Sequence, residues 1–175
     1  LDLCGGTGAW SYYYREAGYT VHLVDIENGH DVRLLEYIPE KIDIILAAPP
    51  CTEFSLLKNF RVKESPRDIL GGLSVVDACL RIITLKQPRI WAVENPSGLL
   101  RKFLGQPAFI FHPYEYGDPW TKKTCVWGQF TIPEKTPVPI RKKQYIKDMP
   151  GIHDRAKLRA VTPAGFAKAF FEANQ

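Results

Sequence analysis

The sequence predicts an α/β fold with a mostly parallel central sheet and helices on both faces. Three observations carry this. Short apolar runs recur along the chain at Leu1-Asp2-Leu3, Val21-His22-Leu23-Val24-Asp25, Ile44-Ile45-Leu46-Ala47-Ala48 and Ile90-Trp91-Ala92-Val93. Most are apolar without alternation, as strands buried on both faces are. Helical stretches separate them, with Ile69 to Lys86 showing apolar residues at Leu73, Val76, Leu80 and Ile83. Finally, glycine, proline or a polar side chain follows each run, and the carboxyl edge of an open sheet is where such a fold presents its ligands.

Leu1-Asp2-Leu3-Cys4-Gly5-Gly6-Thr7-Gly8 is a strand running into glycines, which allow a tight turn and close backbone approach to a ligand. Ala9-Trp10-Ser11 leads into a helix to Ala17, closed by Gly18. A second strand ends in Asp25, 17 residues after Gly8, where a βαβ nucleoside-binding unit places the acid that accepts from ribose hydroxyls. The loop lacks the spacing of a pyrophosphate fingerprint, and no Gly-Lys-Ser/Thr follows it. Asp2 would repel phosphate but tolerate a sulfonium and an amine, so S-adenosylmethionine suits the turn better than a dinucleotide. Asp31 reaches an adenine amine or caps a short helix around Leu34 to Ile38; both readings stay open.

The strand Ile44–Ala48 is stopped by Pro49-Pro50, since proline cannot donate to a ladder, and Cys51 stands just past the stop. A thiol there suits a nucleophile, or a small apolar residue filling a strand end. Lys58 to Arg67, with Arg61 and Lys63, reads as a polar flap over the thiol. Glycines weaken the start of the Ile69–Lys86 helix, and Gln87-Pro88 ends it. Arg89 to Gly98 then repeats the opening pattern, an apolar strand ending in Glu94-Asn95-Pro96. Glu94 belongs at the same sheet edge as Cys51, where partial desolvation makes a carboxyl a proton donor near neutral pH.

Ala108 to Tyr114 and Lys123 to Gly128 read as two further strands flanking a turn, Tyr116-Gly117-Asp118-Pro119-Trp120-Thr121-Lys122. Residues 133–150 are rich in proline and lysine, and Arg141, Lys142 and Lys143 there are available to phosphates. Lys157 to Asn174 reads as a closing helix started at Thr162-Pro163, with Ala167, Phe170 and Phe171 inward. A chain of 175 residues suits one domain. It contains no apolar stretch long enough for a membrane span and no basic secretory leader, and its first residue already lies in a strand, implying that natural residues precede it. Four scattered cysteines argue against a zinc knuckle, any metal site and a disulfide scaffold, and suit a reducing cytoplasm. The net charge of +4 is compatible with a polyanionic partner.

The order glycine turn, acid, Pro-Pro-Cys, Glu-Asn, Tyr-Gly-Asp-Pro resembles the DNA cytosine-C5 methyltransferase family, in particular its short, phage-type members. The resemblance implies a Rossmann-like S-adenosylmethionine-dependent methyltransferase fold in one catalytic domain, residues 1–175. Residues 130–157 are then a reduced target-recognition excursion. Its cofactor residues fall on Asp2, Leu3, Cys4, Gly5, Gly6, Gly8, Ala9, Trp10, Asp25, Ile26, Asp31, Val32 and Pro49. Asp25 becomes the ribose acid and Asp31 the acid facing the adenine amine. Pro49-Pro50-Cys51-Thr52-Glu53-Phe54-Ser55 follows the nucleophile motif, with Thr52 where glutamine is usual. Glu94-Asn95-Pro96 matches Glu-Asn-Val except at its last position. The Gln-x-Arg-x-Arg motif falls on Trp120 to Thr124, so Lys122 or Lys123 takes the cytosine carbonyl oxygen. Arg159-Ala160-Val161-Thr162-Pro163 resembles Arg-x-x-Thr, and the motif that normally closes the chain is not visible.

The implied chemistry asks for these residue types. Carbon 5 of cytosine is a poor nucleophile, and adding the Cys51 thiolate to carbon 6 activates it. Lys58 or Lys122 supplies the electropositive surroundings that favour a thiolate. Neutral Glu94 donates to ring nitrogen 3, Asn95 braces Glu94 or the Cys51 turn, and the DNA must present its cytosine flipped out of the stack. The alternatives are methylation of RNA or free-nucleotide cytosine, or a cofactor-binding interaction module whose target site has decayed. Oligomeric state and target sequence are not readable.

Overall fold

The computed structural model describes residues 1–56, 66–141 and 160–175. Six strands form one sheet: β1 (Asp2–Leu3), β2 (Leu23–Val24), β3 (Ile44–Ala47), β4 (Ile90–Pro96), β5 (Phe109–Phe111) and β6 (Thr124–Gln129). Their order is β2-β1-β3-β4-β6-β5. The first four run parallel, as expected. β6 is antiparallel both to β4 and to β5. This reversal has a consequence for the site, because it brings the start of β6 to the edge where β1, β3 and β4 end.

Side-chain alternation divides the core. Ile44, Leu46 and Ala92 face a cluster containing Trp10, Tyr14, Phe166 and Phe170, from the segment around α1 (Tyr12–Glu16) and from the last helix, α4 (Ala164–Ala173). Ile45, Ala47 and Val93 face the other way, onto Ala78, Cys79, Ile82 and Ile83 of α2 (Ile69–Lys86). Between these helices lies a four-residue α3 (Arg101–Leu104). Both faces of the sheet are therefore covered, which is why its central strands carry no polar alternation.

α2 has the expected bounds, capped by the Asp68 carboxylate accepting from Gly71 N and ended by Gln87 at φ 45°. Three local expectations are corrected. The segment around Leu34 to Ile38 is not a helix: a single 3-10 turn, Val32–Leu34, stands there, with Asp31 at its N-cap and Leu35 already extended at its C-cap. Pro39 biases Ile38 away from helical backbone. The strand from Ala108 ends at Phe111, and Pro113–Tyr116 forms a 3-10 helix whose capping box joins His112 and Glu115. The final helix begins at Ala164 with Pro163 at its N-cap; there Ala167 and Phe170 are buried, and Phe171 is half-buried against Tyr13 and Tyr14. Lys58, Arg61, Lys63, Lys142, Lys143 and Arg159, with most of the flap and the recognition excursion, lie outside the described residues.

Candidate functional site

The carboxyl edge of the sheet gathers the groups singled out in the sequence. Leu3 pairs with Ala47 and Ala47 with Val93, so the glycine turn, the Pro-Pro-Cys turn and Glu94-Asn95 leave neighbouring strands at one level. Asn95 Nδ2 donates to the Pro49 carbonyl at 2.8 Å, joining the end of β4 to the lead into Cys51. Of the two bracing roles expected for Asn95, this contact is to the Cys51 turn. Asn95 is 1% exposed and its Oδ1 has no hydrogen-bond partner. Cys51 is half-buried and not in a disulfide.

Glu94 is 5% exposed, and its Oε2 likewise lacks a hydrogen-bond partner. Desolvation pushes its carboxyl above the ordinary range, with the Lys122 ammonium pulling in the opposite direction. Lys122 feels Glu94 because β6 is antiparallel. Pro96 pairs with Thr124, and Ser97 N donates to the Lys123 carbonyl at 2.8 Å, which sets the lysines beside the end of β4. Lys122 is half-buried and Lys123 exposed.

The glycine turn is organised by two carboxylates. Asp25 accepts from Gly6 N at 2.8 Å through one oxygen and from Glu27 N at 2.9 Å through the other. Each oxygen keeps a lone pair for a further donor. Asp2 is fully buried and accepts from Ser11 Oγ at 2.5 Å, while its Oδ1 has no partner. Burial raises the Asp2 pKa to about 6. A Cβ at Gly5 would stand 2.4 Å from Asp2 Oδ1, so only glycine lets the backbone pass this carboxyl. Gly6 and Gly8 have φ of 54° and 71°, conformations that side chains disfavour.

The remaining expected cofactor residues divide by burial. Cys4 is half-buried at φ 54° and lies beside the Cys79 thiol; Ala9 is half-buried and Pro49 buried. Ile26 is 70% exposed beside Asp25. Leu3 and Val32 are core residues against α2. The Trp10 ring is spent in packing, edge-on to Phe170 with centroids 5.4 Å apart, which ties the turn to α4. Asp31 holds Arg33 in a bidentate ion pair, which keeps its carboxyl below the usual range. Both this pair and the Asp31 cap occupy the carboxylate that the sequence offered to an adenine amine. A cavity of about 260 Å³, lined in part by Leu1, Ser11, His22 and Asp43, opens at the opposite edge, away from Cys51. Among the described residues no three His, Cys, Asp or Glu side chains group to hold a metal ion, and no helix is long and apolar enough to cross a membrane.

Sequence reasoning missed what holds these groups in place: the Ser11–Asp2 bond, the close approach of Gly98 to the Phe54 carbonyl, and the hydrogen bonds from Arg67 to the Glu53 and Ser55 carbonyls. Adjacent glycines at the start of a long helix, Gly71-Gly72, were the one visible signal of close packing there.

Comparison with known proteins adds the family. A model of the C-5 cytosine-specific DNA methylase family matches residues 6–107. A protein of Frog virus 3 (isolate Goorha) named "Probable DNA (cytosine-5)-methyltransferase" is 29% identical over 123 residues, 62% of this chain and 58% of that protein. A crystal structure from E. coli, of a protein described as a DNA modification methyltransferase encoded within a prophage, matches with TM-score 0.56 at 21% identity. It covers 87% of this chain and 55% of that one. The chain thus spans little more than half the length of these relatives. The likeness shows a Rossmann-like methyltransferase fold, and the family match, which takes in more than half of the residues, shows that the chain belongs to the C-5 cytosine-specific DNA methylases.

Proposed function

We propose that the chain transfers a methyl group from S-adenosylmethionine to carbon 5 of cytosine in DNA, through a covalent adduct on Cys51. The observation that carries the reading is the 2.8 Å bond from Asn95 to the Pro49 carbonyl, which binds the Cys51 turn to the strand bearing buried Glu94. A sulfur and a protonated carboxyl so joined can act on one pyrimidine. The Cys51 thiolate adds to carbon 6 while Glu94, kept neutral by burial, gives its proton to nitrogen 3. Lys122 then faces the charge that Glu94 takes on. After methylation water takes the carbon-5 proton, the carbon-5–carbon-6 double bond re-forms as Cys51 leaves as thiolate, and nitrogen 3 returns its proton to Glu94. A stacked base cannot reach a turn at a sheet edge, so the target cytosine is flipped out.

The residues beside Cys51 fit the donor. Asp2, with a buried and unpartnered oxygen, suits an ammonium; Gly5, Gly6 and Gly8 leave room along the turn; Asp25 has lone pairs for ribose hydroxyls. Exposed Ile26 offers an apolar face to adenine, and Asp31 takes the adenine amine only if Arg33 shares it. When bound, S-adenosylmethionine supplies an electrophilic methyl group.

A covalent trap tests the proposal. In 5-fluorocytosine the proton lost from carbon 5 is replaced by fluorine, so the adduct persists. Duplex DNA carrying it, incubated with S-adenosylmethionine, should yield a crosslink mapped to Cys51 and absent in Cys51→Ser. A crosslink at another cysteine, or one formed only with RNA or a free nucleotide, overturns the site or the substrate.

A further inference from the structure

The turn that carries Cys51 is gripped by residues outside the motifs that define it. Its backbone carbonyls are taken one after another. Pro49 O accepts from Asn95, Cys51 O from Phe54 N and Ser55 N, and Phe54 O from Leu99 N at 2.8 Å. The carbonyls of Glu53 and Ser55 both accept from Arg67, through Nη1 at 2.5 Å and Nη2 at 2.9 Å. One planar guanidinium therefore spans two carbonyls of the turn, a geometry that a lysine ammonium on a flexible stem does not reproduce. The next residue joins in: Asp68 N donates to Glu53 Oε2 at 2.8 Å.

Behind the turn there is no slack. A Cβ at Gly98 would lie 2.3 Å from the Phe54 carbonyl oxygen, and one at Gly72 would lie 3.1 Å from both Glu53 Cβ and the Phe54 ring. Phe54, fully buried, plugs the space among α2, the loop after β4 and Leu100. Of the two glycines that weaken the first turn of α2 in isolation, Gly72 is what allows it to close on the Cys51 turn, while Gly71 makes room for the Asp68 cap.

We infer that Arg67 is a positioning residue for Cys51, acting through the carbonyls of Glu53 and Ser55, with Gly98 holding the opposite side of the turn. The inference rests on Cys51 being the nucleophile. Misplacing a reacting group by about 1 Å costs on the order of 10²-fold in rate.

The experiment compares wild type, Arg67→Ala, Arg67→Lys and Gly98→Ala by the rate of adduct formation on 5-fluorocytosine duplex DNA with saturating S-adenosylmethionine. Cofactor affinity and the alkylation rate of Cys51 by iodoacetamide, mapped by mass spectrometry, are measured alongside. Both Arg67 variants should lose on the order of 10²-fold in adduct rate with cofactor affinity kept. Millimolar methylguanidine should restore part of the Arg67→Ala loss where methylamine does not. Cys51 should alkylate faster once the turn is released, and Gly98→Ala should lose rate without rescue. A wild-type adduct rate in either Arg67→Ala or Arg67→Lys overturns the inference, as does a loss that follows cofactor affinity. If Arg67→Ala does not fold, Arg67→Lys decides. A wild type that forms no adduct, while Arg67→Ala still speeds Cys51 alkylation, would refute the proposed reaction and leave the grip standing.

Discussion

Replacing Asp2 by asparagine should make the folded chain progressively more stable relative to wild type as pH rises to neutral, so that the usual cost of a substitution at a buried site is offset. Asp2 is fully buried with one oxygen unpartnered, and burial lifts its pKa from 3.8 to about 6. Between those values the folded chain keeps a proton that the unfolded chain releases, so stability falls as pH rises. At about 1.4 kcal/mol per pH unit, the Asp2 contribution reaches a cost of about 3 kcal/mol above pH 6 and is absent below about pH 4. Asparagine carries no charge at either pH. Its carbonyl can still accept from Ser11, and its amide leaves a buried donor at the cost of about 1–3 kcal/mol. That cost does not depend on pH, so the comparison of variant with wild type isolates the carboxylate. Urea unfolding followed by tryptophan fluorescence, without cofactor, should show the variant gaining about 3 kcal/mol relative to wild type between pH 4 and pH 8. Glu94 and the other groups that do not interact with Asp2 cancel in this difference, whereas the buried Leu1 ammonium, which Asp2 helps to keep charged, does not. A differential below about 1 kcal/mol would refute the claim that burial raises this carboxyl. Under the proposed function the same variant loses the carboxylate that faces an ammonium, and calorimetry should find cofactor affinity lowered as stability rises.

Glu94→Gln removes the proton donor while keeping the shape, and methyl transfer measured with labelled cofactor should fall on the order of 10²–10⁴-fold. In wild type the raised Glu94 pKa keeps the acid form to higher pH than an ordinary carboxyl, so the rate should fall as pH rises through that value; a profile flat on its alkaline side would contradict this. Asn95→Ala breaks the 2.8 Å bond to Pro49 and orphans a buried carbonyl, for a loss of about 1–3 kcal/mol in urea unfolding together with a slower Cys51 trap. Gly5→Ala drives a methyl into the Asp2 carboxyl, and equilibrium dialysis should show cofactor affinity falling with the Cys51 alkylation rate unchanged.

Much of this architecture was legible because the deciding signals are local. The run ending at Pro49-Pro50 could only be a strand stopped short, and the α2 bounds follow from periodicity and Gln87-Pro88. Glu94 was placed beside the Cys51 turn by the parallel α/β pattern alone, and the register of β3 on β4 agrees. Local competition decided what the sequence left open elsewhere. Asp31 was offered both to an adenine and to a helix cap; it caps the single turn Val32–Leu34, and Arg33, two residues on, engages both of its carboxylate oxygens. Trp10 was read as part of a ligand loop, and its ring packs edge-on against Phe170 in the core, where a large aromatic has most to gain.

What the sequence could not display is the frame that sets distances. Asn95 reaches Pro49 across 46 residues, where the resemblance left open whether it braces Glu94 or the Cys51 turn, and Arg67 reaches Glu53 across 14, a pairing that follows from no periodicity or motif. The glycines show why. Read along the chain, Gly71 and Gly72 are a defect in a helix and Gly98 is a turn residue. Read in space, Gly72 and Gly98 stand on either side of Phe54, where an added methyl would meet its ring or its carbonyl. A residue type whose use is to be absent leaves no chemical signature in one dimension. The reactive groups announce themselves by identity, whereas the parts that aim them do so only through the contacts they permit. Substitutions at Gly98 and Arg67 should therefore injure the Cys51 trap while sparing cofactor binding, and substitutions at Gly5 and Asp2 should do the reverse. That double dissociation follows from one turn being held by β4 and α2 and the other by Asp2 and Asp25.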